Sequence, residues 1–81
     1  MKIRYFAWIK DITNKDYEII EKNFPNNIDE LKEFLSKSYP DLKKHISDDI
    51  FRYAINMEYV LLNENLESND EIAVFPPVSG G

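Results

Sequence analysis

Eighty-one residues, 43% hydrophobic and 31% charged, suit one globular domain with a single modest core and little room for a deep cleft. The absence of Cys excludes disulfides, thiolate metal sites and Cys nucleophiles. A net charge of −5 disfavours nucleic acid; it suits partners with basic grooves, or serves only solubility.

Residues 3–9 are rich in β-branched and aromatic side chains and read as a strand. Ile3, Tyr5, Ala7 and Ile9 would share one face, and Arg4, Phe6 and Trp8 the other. A polar turn at residues 11–16 leads to a second strand at residues 17–22. The link is too short for a crossover, so the two strands should form an antiparallel hairpin.

Pro25-Asn26-Asn27 ends that strand, and Asn27 followed by Glu30 approximates a helix-capping box. Ile28, Leu31, Phe34, Leu35 and Tyr39 then recur at helical spacing, and the helix should stop before Pro40. Residues 41–49 read as a polar connection with room for a helical turn. Lone His45 is expected to be a solvated loop residue, and Asp48-Asp49 solvated or capping acids.

Residues 50–56 read as a third strand, with a tight turn at Met57-Glu58 and a short strand at residues 59–61. Leu66, alone among polar neighbours, reads as a plug into the core. A turn over residues 68–71, with Asn69 able to take positive φ, precedes the last strand at residues 72–75, whose Ile72 and Val74 face inward. One helix can cover only one face of such a sheet. The expected fold is therefore α+β, a ubiquitin-like β-grasp: a mixed sheet of about five strands, one main helix, and first and last strands paired in parallel at the centre.

The end of the sequence stands apart. The domain should occupy residues 1–75, with residues 76–81 an extended tail. Pro76 and Pro77 have fixed φ and no N–H, so the sheet cannot continue through them. Gly80 and Gly81 are the only glycines in the chain, so no phosphate-cradling Gly loop is available. The six residues from Pro76 to Gly81 can span about 20 Å, enough to enter a narrow channel while the domain stays outside.

The sequence resembles, along its whole length, the sulfur-carrier small subunits of molybdopterin synthase. The most specific segment is Asp70-Glu71-Ile72-Ala73-Val74-Phe75-Pro76-Pro77-Val78-Ser79-Gly80-Gly81, supported by Phe6-Ala7 and Ala54-Ile55-Asn56. Asn69 stands where relatives often have Gly, and Trp8 where a more polar residue is expected. Trp8 reads equally as an interface anchor or as packing.

The resemblance implies that an ATP-using, ubiquitin-activating-like adenylyltransferase converts Gly81 to an acyl-adenylate and that a thiocarboxylate follows. Gly80 would keep the acyl centre accessible. The thiocarboxylate would give its sulfur to a cyclic pterin precursor inside the large subunit, in a heterotetramer of two small and two large subunits. The chain itself would bind no cofactor or metal, and the catalytic groups would lie on the large subunit. Phe6, Tyr59 and Phe75 would form an outward docking patch, with a satellite core as the alternative. Pro76, Pro77, Val78 and Ser79 would guide the tail. No nucleic acid or membrane is expected, and the compartment is expected to be cytoplasmic, as no signal-peptide pattern precedes the first strand. Rival readings are a sulfur carrier for thiazole or tRNA thiolation, a ubiquitin-like modifier joined through Gly81, and a binding module with an inert tail.

Overall fold

The computed structural model describes residues 1–77. Five strands, β1 (Lys2–Tyr5), β2 (Tyr17–Ile19), β3 (Arg52–Ile55), β4 (Glu58–Val60) and β5 (Glu71–Phe75), form one mixed sheet in the order β2-β1-β5-β3-β4. Strands β1 and β5 lie at its centre and run parallel, with Ile3 beside Ile72 and Tyr5 beside Val74, all four buried. The other pairs are antiparallel. This is the expected β-grasp.

The main helix, α2 (Ile28–Ser38), starts where its cap dictates. The Asn27 side chain accepts a hydrogen bond from the Glu30 N–H at 2.8 Å, satisfying one of the helix's free donors. Glu30 reaches back, but to the N–H of Asn26 at 3.1 Å. Ile28, Leu31 and Leu35 share one stripe and are buried against the inner sheet face with Ile3, Tyr5, Tyr53, Ile72 and Val74. Tyr39 ends the helix ahead of Pro40, as the proline requires. Leu66 is 5% exposed and does plug the core; its N–H donates to the Asn26 carbonyl at 2.8 Å.

Several expectations are corrected. The first strand ends at Tyr5, not at residue 9. Residues 9, 12 and 13 also fit a helical period, and burying Ile9 and Thr13 with Ile12 against the core favours a short helix, α1 (Ile9–Thr13). Ala7 turns the chain with φ 54°, while the Phe6 N–H still donates to the Val74 carbonyl at 3.1 Å, so Phe6 stays beside β5. The second strand is only three residues long.

Residues 41–49 form a 3₁₀ turn (Pro40–Leu42) and a helix, α3 (Lys43–Ser47), anchored by buried Leu42. His45 is therefore not a solvated loop residue. Its ring is half-buried 4.9 Å from that of Trp8 and 5.8 Å from that of Phe51.

The β3–β4 turn is centred one residue earlier than expected. Asn56 and Met57 both have positive φ (50° and 72°), as a type I′ turn demands. Asn69 does not take positive φ. The turn before β5 is closed instead by Asp70, whose carboxylate accepts from the Glu67 N–H at 2.7 Å. Asn56 bonds both the Asp70 carboxylate (2.8 Å) and the Glu71 N–H (3.0 Å), tying the hairpin to the start of β5.

Candidate functional site

The buried residues of α1 and α2, and Leu42 of the 3₁₀ turn, pack on the inner side of the sheet, so the outer face is left uncovered. Strand register decides which side chains occupy it. Pairing places Arg52 opposite Phe75, Ala54 opposite Ala73, and Tyr59 opposite Ala54, all on the side away from Val74 and Ile72. Phe6, carried by the backbone bond to Val74, joins them.

The Phe75 ring bridges this group. Its centroid lies 6.5 Å from that of Phe6 and 5.7 Å from that of Tyr59, both edge-on. Phe6 is 40% exposed and Tyr59 is 74% exposed. With Ala7, Ala73, Pro76 and Pro77 they line a shallow, mainly apolar groove of about 510 Å³. The patch is thus directly continuous with the root of the tail. Val78, Ser79, Gly80 and Gly81 lie outside the described residues.

The satellite-core alternative does not describe Tyr59, which no element covers. Trp8 belongs to a different group: it contacts His45 and Phe51, with ring centroids 4.9 and 5.6 Å away. Phe51 is buried in the core, so the Trp8 ring packs over the α3 side of the domain while remaining 39% exposed.

Sequence reasoning missed a polar cluster behind the sheet. The Glu18 carboxylate accepts hydrogen bonds from the hydroxyls of Tyr5 and Tyr39 and pairs with Lys15 at 3.5 Å. Burial, then the Glu18 carboxylate, pushes both hydroxyls above the usual phenol range. Burial, then the charge of Asp49, does the same to Tyr53. The alternation of β2 carried a faint signal, since it turns Glu18 inward beside Tyr5. Also missed were Met57, Leu61 and Leu62, which leave an exposed apolar margin around β4. Among the described residues, no three metal-ligating side chains come together, and no helix is long and apolar enough to cross a membrane.

A family model described as the ThiS family matches residues 3–81. The chain belongs to the ThiS family. Two curated relatives are named molybdopterin synthase sulfur carrier subunit. That of Dictyostelium discoideum is 36% identical over 99% of this chain and 94% of the relative. That of Escherichia coli (strain K12) is 26% identical over 100% and 99%.

Among solved structures, a putative molybdopterin converting factor subunit 1 from Pyrococcus furiosus superposes with a TM-score of 0.80 at 30% identity, covering 95% of each chain. A chain from a complex of subunits 1 and 2 of molybdopterin-converting factor from Helicobacter pylori gives 0.70 at 28% identity, covering 99% and 96%. Small archaeal modifier protein 1 of Haloferax volcanii gives 0.78 at 22% identity over 95% of each chain, a likeness of fold alone. In this ThiS family chain the outer-face aromatics and the Pro76-Pro77 pair meet at one corner of the sheet.

Proposed function

We propose that this chain is the sulfur-carrier subunit of a molybdopterin synthase, with Gly81 as the carrying residue. The supporting observation is the continuity of the Phe6–Phe75–Tyr59 patch with Pro76 and Pro77. A partner seated on that patch would stand where the tail leaves the domain, and the proline pair would limit the entropy lost on inserting it. The relatives' shared name, and the two-subunit complex of the Helicobacter pylori neighbour, point to the large subunit as that partner.

The chemistry starts from a poor electrophile. The Gly81 carboxylate attacks the α-phosphate of ATP on a separate adenylyltransferase, releasing pyrophosphate and leaving an acyl-adenylate. A sulfur donor displaces AMP and leaves a thiocarboxylate. In the large subunit that sulfur passes to the cyclic pterin precursor, and water returns the Gly81 carboxylate. This chain supplies position and a slim acyl carrier; the acid, base and binding groups reside in its partners.

Intact mass tests the reading. Co-expression with the adenylyltransferase and a sulfur source should add about 16 Da, sulfur for oxygen. An unmodified chain overturns it, and mass found only in lysine-linked conjugates assigns the tail to protein modification.

A further inference from the structure

The outer sheet face differs in charge from the chain that carries it. Whole-chain charge is −5. Yet the strand positions on this face hold Lys2, Arg4 and Arg52 against a single carboxylate, Glu71. Glu71 lies 3.3 Å from Arg4 and 4.0 Å from Lys2, so it offsets only part of their charge.

The two arginines bracket the aromatic patch. The Arg4 guanidinium sits 5.7 Å from the Phe6 ring centroid, on a half-exposed side chain. Arg52 stands opposite Phe75 in register. Its Nη1 donates to the carbonyls of Asp49, Phe51 and Ile50 at 3.0, 3.1 and 3.4 Å. That fixes the guanidinium at the head of β3. Among the described residues no carboxylate pairs with it, and its other donors are unbonded. A rigid arginine is a strong receiver of a planar carboxylate.

We propose that the partner seated on this face presents carboxylates around an apolar centre, and that Arg4 and Arg52 select it by charge. Resting on the reading above, this identifies the large subunit's matching surface as acid-rimmed, opposite to what the acidity of the whole chain suggests. Aromatic contacts hold the complex. The arginine rim steers the encounter and rejects basic surfaces.

Stopped-flow association with the large subunit, at about 20 and about 200 mM salt, tests this. Wild-type association should slow as salt rises. Arg4→Glu should associate roughly tenfold more slowly at low salt with little change in dissociation, and Arg4→Lys should restore most of the rate. Lys2→Glu, at another half-exposed site, serves as a second reporter should Arg4→Glu fail to fold. Equal or faster association of the acidic variants, or a wild-type rate that rises with salt, overturns the proposal while leaving the carrier reading intact. Failure of the wild type to bind the large subunit at either salt concentration overturns both.

Discussion

Replacing Tyr59 by Ala separates docking from folding. Tyr59 is 74% exposed on edge strand β4, where it meets the edge of Phe75 and stands opposite the small side chain of Ala54 across the strand pair. Removing it should change folding stability by less than about 0.5 kcal/mol, as for surface substitutions generally. A docked tyrosine buries about 150–250 Å². Three quarters of that surface still faces water here, so the partner can cover on the order of 130 Å². At about 25 cal/mol per Å² this amounts to about 3 kcal/mol, within the range of interface anchors. Affinity for the large subunit should therefore fall by about a hundredfold. Calorimetric titration measures the affinity, and a thermal melt of the free chain supplies the control. Affinity within threefold of wild type, or a melting point lowered by more than a few degrees, would refute the assignment of Tyr59 to the interface.

Glu18→Ala removes the acceptor shared by two tyrosyl hydroxyls, one of them on buried Tyr5. The cost should be about 2 kcal/mol, lowering Tm by on the order of 10 °C in a calorimetric scan. High pH should also destabilise the chain. Tyr5, Tyr39 and Tyr53 are held protonated in the fold above the usual phenol value, so the unfolded chain loses protons that the folded chain retains. Stability from these groups is complete below about pH 10 and declines above it, which denaturant titration across that range will show. Deleting Gly81, or replacing Gly80 with Phe, should abolish sulfur loading by intact mass while leaving Tm within about 2 °C, because the core of the β-grasp is built from residues between Met1 and Val74.

Long-period features were readable in the sequence. The capped helix at residues 28–38 repeats its apolar stripe three times, and Pro40 marks its end. The two central strands alternate, turning Ile3, Tyr5, Ile72 and Val74 inward. Short elements were harder. Residues 3–9 satisfy a strand's alternation, but Ile9, Ile12 and Thr13 also satisfy a helix, and only packing against the core chooses between them. His45 has no local partner; it meets Trp8 and Phe51 because the 3₁₀ turn packs against α1 and α2, and α3 against α2. Asn69 and Asn56 are equally tolerant of positive φ, and strand register places the strained turn at Asn56-Met57. The aromatic patch was legible because alternation alone puts Phe6 and Phe75 outward. Its arginine rim was not, since whole-chain charge hides how cations are sorted between faces.

The carrier account is tested most directly by one turnover of the loaded chain. Chain bearing the added sulfur is mixed with the large subunit and the cyclic pterin precursor, and its mass is followed. The account predicts that the mass returns to that of the free Gly81 carboxylate as sulfur appears in the pterin. Retention of the sulfur, or its loss at the same rate without the large subunit, would contradict it.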